Sequence, residues 1–346
     1  MLGRLCSIGA VVIRALAADK GVHGRFGLLS AEEVAAALPL LRAKWEEAGG
    51  RCTWAAFAEA TAADHSDSPG CQNDALLAAL IPVYLNPRES GAFLDVGAHV
   101  GQWTAEVLSK FGRLEHRKYA KEFGSGGYGC RAPVDPDSKT VSVYCFEPVK
   151  ASYDRLSDRA KRSAWLLEDV QFMRAGVANA TGKASVWAVS GTADPRASLT
   201  PQEGAAESAE RMVTVDLLLK KSIAQGRAFL LRLAVNGHEH GALVGARKSL
   251  KNHLVRFVQF EVSPLWERAG YHLRDTVGLL WKAKYACFAM LPHPIPLSGS
   301  FWQELVDGPA WFQVFCGVLG DSGLRQVIRT LDVDGLDYLK TSSQAA

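Results

Sequence analysis

From residue 91 onward, apolar residues fall in short runs that alternate with stretches whose apolar positions recur at helical spacing. The runs rich in β-branched and aromatic residues predict strands over 92–96, 141–146, 170–177, 184–189, 228–235, 255–262, 285–291 and 311–318. Helices are expected between them at 102–111, 151–162, 241–253 and 265–280. Upstream the texture is helical. Ser30-Ala31-Glu32-Glu33 has the pattern of a capping box, in which the hydroxyl and the second carboxylate satisfy each other's backbone donors. Val34, Leu38, Leu41 and Trp45 then follow at helical period, a second helix is expected over 54–62, and a third over 73–83 after the polar break at 64–70. Two stretches read as surface loops: 112–140, with its basic and glycine-rich residues, and the polar, alanine-rich 195–210.

Strands alternating with helices argue for an α/β fold, a doubly wound and mostly parallel sheet that binds ligands at the carboxyl ends of its strands. The expected organisation is a basic segment at 1–29, a helical extension at 30–88, the sheet domain at 89–320 with 112–140 inserted, and a tail at 321–346.

Composition narrows the classes. Over 346 residues, 48% apolar and 22% charged is the make-up of an ordinary globular chain, and no apolar run approaches a membrane span. A formal charge of +3 gives no specific nucleic-acid signal. The seven cysteines (6, 52, 71, 130, 145, 287 and 316) are scattered, which suggests reduced thiols, several in strand-like surroundings (Cys145, Cys287, Cys316), and a reducing compartment. Arg4, Arg14, Lys20 and Arg25 lie among apolar residues with Asp19 as the one acid before Glu32. That pattern resembles an organelle transit peptide, such as a mitochondrial one, and equally suits a basic N-terminal helix of a cytoplasmic protein.

The chemistry concentrates at Phe93-Leu94-Asp95-Val96-Gly97-Ala98-His99-Val100-Gly101, a buried strand ending on a glycine-bearing turn that enters a helix. Such turns bring backbone N–H groups close to a ligand. Counting from Gly97, the third and sixth places hold His99 and Gln102, so the dinucleotide fingerprint fails. A phosphate loop fails too, because no Gly-Lys-Ser/Thr follows. What remains is Asp-x-Gly-x-x-x-Gly, whose acid suits a ligand with cationic groups, as S-adenosylmethionine has. An acid at the tip of the second strand should then meet the ribose hydroxyls, and Glu147 of Cys145-Phe146-Glu147-Pro148 supplies it.

The pair FLDVGAHVGQWT and YCFEPVKASYDRL resembles the FkbM-type class I methyltransferases. Met212 to Leu217, Ala228 to Ala246 and Val258-Gln259-Phe260-Glu261 follow the same family less specifically, so the likeness covers roughly residues 72 to 292. It implies a seven-stranded Rossmann-like methyltransferase sheet, S-adenosylmethionine as donor and O-methylation of a small-molecule or sugar hydroxyl. The implied donor-binding residues are Asp95, Gly97, Ala98, His99, Gly101 and Glu147; the acid that often meets the adenine is missing after the third strand, where Asn179 can hydrogen-bond it instead.

The chain also departs from that pattern. The family's Asp-x-Glu-Gly reads Ala234-Val235-Asn236-Gly237 here, so two acids are lost beside the acceptor site. A hydroxyl acceptor needs a base within reach, and His238, His240 and Glu261 are the candidates, with Glu239 beside them. The plainer reading of His238-Glu239-His240 is a solvated helix start, and no metal set is expected. Phe301, Trp302, Trp311 and Phe312 either roof an acceptor pocket or pack a final strand, as Trp311 and Phe315 suggest. Two functions stay open: an active methyltransferase, or a decayed one kept as a subunit of a protein assembly.

Overall fold

All five residues of β1 are buried, which a strand covered on both faces requires. The protein is seen in a computed structural model that describes residues 76, 77, 79–81, 83, 84, 91–111, 141–163, 165, 169–189, 197–201, 203–223, 226–290, 294–298 and 312–331. In chain order the elements begin with β1 (Ala92–Val96), α1 (Gln102–Phe111), β2 (Ser142–Phe146), α2 (Lys150–Arg162), β3 (Asp169–Met173), β4 (Gly176–Val177), β5 (Gly182–Ala188) and β6 (Ala206–Val213). They continue with α3 (Val215–Lys221), β7 (Ala228–Leu233), α4 (Glu239–Val244), α5 (Arg247–Lys251) and β8 (Val255–Val262). The last are α6 (Leu265–Arg268), α7 (Leu273–Lys282), β9 (Tyr285–Met290), β10 (Ile295–Pro296), β11 (Phe312–Val318) and α8 (Ser322–Leu331).

The chain divides into two compact units, one running from Tyr84 to Arg256 and the other taking Phe257 onward together with residues up to Val83. In the first unit the strand order is β3-β2-β1-β7, all parallel, with a separate small sheet ordered β4-β6-β5. In the second, β11 runs antiparallel between β8 and β9, and β10 lies at the far edge of β9. The seven strands that the resemblance implies are thus β1, β2, β3, β7, β8, β9 and β11, in a doubly wound, mostly parallel arrangement, with β10 as a short addition.

Aromatic side chains fill the core of the first unit, where Phe93 of β1 meets Phe111 of α1 and Phe229 of β7 with centroids 5.0 and 5.3 Å apart. In the second unit Phe257 and Phe315 stack at 5.4 Å, and Phe312 is likewise a buried strand residue. Core packing therefore accounts for both of these C-terminal aromatics; Phe301, Trp302 and Trp311 lie outside the described residues. So do the helices expected over 34–45 and 54–62, the 112–140 insertion and the basic N-terminus. Of the third upstream helix, residues 76, 77, 79–81, 83 and 84 are helical.

Several expectations from the pattern need correction. The strand expected over 170–177 is two strands, because the Ala175 N–H bonds the Met173 carbonyl at 2.9 Å in a tight turn that sends β4 into the small sheet. The 195–210 stretch is no simple loop: Ser198 bridges to Trp187, and β6 begins at Ala206. The helix expected over 241–253 is α4 and α5. Asp216 restarts it by accepting the Lys248 and Ser249 N–H groups at 3.2 and 2.7 Å, a cap supplied from α3. The helix over 265–280 likewise restarts at His272, whose backbone is extended. The supposed tail at 321–346 opens with α8, capped by Asp321 and buried at Leu324, Val327 and Ile328.

The reduced-thiol expectation also fails for one pair. Cys287 and Cys316 face each other across β9 and β11 with Cα atoms 4.1 Å apart and form a disulfide. Two of the seven cysteines are therefore joined. Cys145 stays a buried thiol whose pKa burial pushes well up. No helix among the described residues is long and apolar enough to cross a membrane.

Candidate functional site

The carboxyl ends of β1, β2 and β7 meet the small sheet around a cleft of about 580 Å³, counted out to its open mouth. Gly97 and His99 contribute the turn after β1, Glu147 and Pro148 the tip of β2, and Ala234 to Asn236 the tip of β7. The small sheet adds Gly176, Val177, Val186 and Met212, and the chain before β6 adds Ala197, Ser198 and Leu199. One wall is therefore mainly apolar, and the other carries backbone polar groups and a carboxylate.

The turn is forced by its neighbours. Gly97 has φ +77°, and a Cβ there would lie 2.0 Å from the Ala234 carbonyl oxygen. Only glycine accommodates both the conformation and the approach. The Gly97 and Ala98 N–H groups bond the Phe146 carbonyl at 2.9 and 3.1 Å, which ties the turn to β2. His99 follows at φ +51°, a region that Asn and His enter more readily than most residues. Its N–H donates to Glu147 Oε2 at 2.9 Å, while Oε1 accepts the Val149 N–H at 2.9 Å. Glu147 is 5% exposed, and burial pushes its pKa up to about 7 against the pull of those two N–H groups.

Of the residues proposed to bind a donor, Gly97, His99 and Glu147 line the cleft. The others do not. Asp95 is wholly buried, and its two carboxylate oxygens accept from Thr104 Oγ1 at 2.6 Å and Arg232 Nη1 at 2.8 Å. Its charge is matched inside the protein rather than offered to a cationic ligand, and Arg232 reaches on to the Gly97 carbonyl at 3.3 Å. Asp95 thus supports the turn from inside the protein. Ala98 is buried, and Gly101 sits where a Cβ would press within 2.7 Å of the Leu156 and Trp165 side chains. Asn179 is exposed and outside the cleft, because the Ala178 N–H bonds Val213 and carries the chain into the small sheet.

The solvated helix start expected at 238–240 is not solvated. Glu239 is buried, and its carboxylate accepts the Val235 and Gly237 N–H groups at 2.8 and 3.1 Å, fixing the tip of β7. His238 Nε2 lies 2.9 Å from Thr200 Oγ1, and burial lowers its pKa to about 4. A neutral imidazole of that basicity is a weak general base at pH 7. His240 is half-buried. Glu261 belongs to the second unit, where Gln313 Nε2 donates to its Oε2 at 3.1 Å. Among the described residues no three His, Cys, Asp or Glu side chains converge as metal ligands.

The sequence reading missed Arg232, Thr104, Glu239 in its buried role, and the 197–200 wall. Arg232 had left a signal: a charge interrupting the apolar run of β7 must find a partner.

A family model described as a methyltransferase FkbM domain matches residues 95–287, more than half of the chain. No curated protein matches it. Among solved structures the chain is similar to an FkbM methyltransferase from Methylobacillus flagellatus, at 12% identity and TM-score 0.35, over 67% of this chain. It spans 47% of that protein's length. It is also similar to a plantazolicin methyltransferase solved with S-adenosylhomocysteine, at 8% identity and TM-score 0.32, covering 83% of this chain and 98% of the other. A Burkholderia thailandensis 1,6-didemethyltoxoflavin N1-methyltransferase matches at 13% identity and TM-score 0.30, over 85% and 92% of the two chains.

Proposed function

Because the chain belongs to the FkbM methyltransferase family, we propose that its cleft binds S-adenosylmethionine and that it methylates a hydroxyl of a small-molecule or sugar acceptor. Its strand order is that of the class I methyltransferase Rossmann-like fold. The observation that carries the donor reading is Glu147. A carboxylate held by two backbone N–H groups at the tip of β2 lines the cleft beside the glycine turn and keeps lone pairs for the ribose hydroxyls. Pro148, Val177, Leu199 and Met212 supply apolar surface suited to an adenine.

The bound donor would supply a sulfonium-activated methyl carbon; in-line attack by the acceptor oxygen would form the O–C bond as the C–S bond breaks, with S-adenosylhomocysteine leaving and the hydroxyl proton passing to a base. This chain's own contribution is placement: the rigid turn and the fixed tip of β7 hold the two partners, which is where much of the rate of such a transfer originates. His240, in the helix after β7, is the candidate for taking the acceptor's proton, whereas Glu261 is held by Gln313 in the second unit and is not assigned to this cleft. His238 is the weaker choice, being neutral and bound to Thr200. The competing reading, a decayed enzyme kept as an assembly subunit, is favoured by one feature: the tip of β7 carries Ala234 and Asn236, and the Asn236 amide is already bonded to Ala197.

Calorimetry with S-adenosylhomocysteine tests the donor reading. Wild type should bind, and Glu147→Ala should weaken binding about 30-fold or more, since two charge-assisted hydrogen bonds are lost. No binding by wild type, or unchanged binding by the variant, would sink it. Affinity should also follow pH. The ionised carboxylate accepts both hydroxyls, so binding should be strongest above pH 7 and fall by up to tenfold per unit below about 7. Glu147→Gln should flatten that profile, and a wild-type affinity that rises on acidification would contradict the assignment. Methyl incorporation from labelled donor into extract, lost in His240→Ala, then separates enzyme from relic.

A further inference from the structure

Residues 197–200 form a short strap, held at several points, that serves as one wall of the cleft. Trp187 and Ser198 exchange backbone hydrogen bonds of 2.9 and 3.1 Å, so the strap is docked on β5. Asn236 docks it on the tip of β7 as well. Its Nδ2 donates to the Ala197 carbonyl at 2.8 Å, and Ser198 Oγ donates to the Asn236 carbonyl at 3.1 Å. Thr200 Oγ1 pairs with His238 Nε2 at 2.9 Å, and the Thr200 N–H bonds Ser198 Oγ at 3.2 Å. Asn236 has φ +51°, a conformation that asparagine tolerates better than most residues. Ala197, Ser198 and Leu199 line the same cleft as Gly97, His99 and Glu147.

We propose that Asn236 is a positioning residue: its amide latches the 197–200 strap as a wall of the donor cleft, and so governs how long a bound donor stays. The inference rests on the donor reading above and adds a control that reading does not contain. The Asn236 amide contributes one hydrogen bond to the strap, so removing it loosens the wall without undocking it from β5, and a looser wall should act on dissociation more than on association.

Surface plasmon resonance with the immobilised full chain and S-adenosylhomocysteine tests it. Asn236→Gly keeps the positive φ without the amide, and should raise the dissociation rate about fivefold with the association rate changed much less. Thr200→Val cuts the second tie and should act in the same direction, while Thr200→Ser, which keeps the hydroxyl, should return the rate to near the wild-type value. A general loss of packing would not be rescued in that way. If wild type binds and neither Asn236→Gly nor Thr200→Val alters dissociation, the latch is wrong and the donor reading stands. Should Asn236→Gly fail to fold, the Thr200 pair decides alone. If only the latch variants bind, the strap keeps the ligand out instead of retaining it, and the latch as proposed is overturned. If no form binds, the donor reading fails and the latch falls with it.

Discussion

Gly97→Ala should unfold the tip of the sheet and abolish donor binding. Alanine at φ +77° carries about 1–2 kcal/mol of conformational strain. The larger effect is steric. The new Cβ would meet the Ala234 carbonyl oxygen at 2.0 Å and its carbon at 2.8 Å, and both belong to the backbone, which cannot rotate away. Relief requires β1 and β7 to part at their tips, breaking the 2.9 Å bond from the Ala234 N–H to Val96. Strain and a lost strand contact together should amount to about 4 kcal/mol or more, at the far end of single-substitution effects. Gly204 is the control: its φ is +73° and a methyl added there would meet nothing within 4 Å, so alanine should lose only the strain. Urea denaturation of the two variants tests the contrast, and equal midpoints would show that the approach to Ala234 is not limiting.

Arg232→Met should be nearly as damaging. Asp95 is fully buried, and its register partner on β7 is Arg232 itself. Removing the guanidinium leaves the carboxylate with Thr104 alone, and an uncompensated buried charge of this kind costs about 3–5 kcal/mol. The Gly97 carbonyl also loses a donor, so the turn should loosen and S-adenosylhomocysteine affinity should fall along with stability. The double variant Asp95→Asn/Arg232→Met removes both charges and should recover most of the loss. A double-mutant cycle from urea melts measures the coupling, and additive losses would mean that the pair is not interacting as the geometry indicates.

How much of this was legible in the sequence can be followed residue by residue. The alternation of apolar runs with helical stretches located the parallel strands because burial on both faces demands continuous apolar residues, and β1, β2 and β7 show it. The glycine turn was legible because only a few residues accept the conformation it needs. The position of Glu147 was legible because it follows from standing at the tip of the next strand. The breaks inside expected elements were not, since the Asp216 cap and the turn at Ala175 depend on partners distant in the chain or on a change of sheet.

Sequence alone therefore determined the layer architecture, the turn at Gly97 and the acid at Glu147, each of which depends on local periodicity or backbone conformation. Tertiary structure alone decided what Asp95, Asn236 and Glu239 do. Asp95 meets Arg232 across 137 residues, and only the register of β1 against β7 brings them together. The same is true of Asn236 and the strap, 39 residues apart at Ala197, which meet because two loops from different sheets converge on one cleft. A buried charge or amide takes whichever partner the packed chain brings within hydrogen-bond distance, and the order of residues along the chain does not specify that partner.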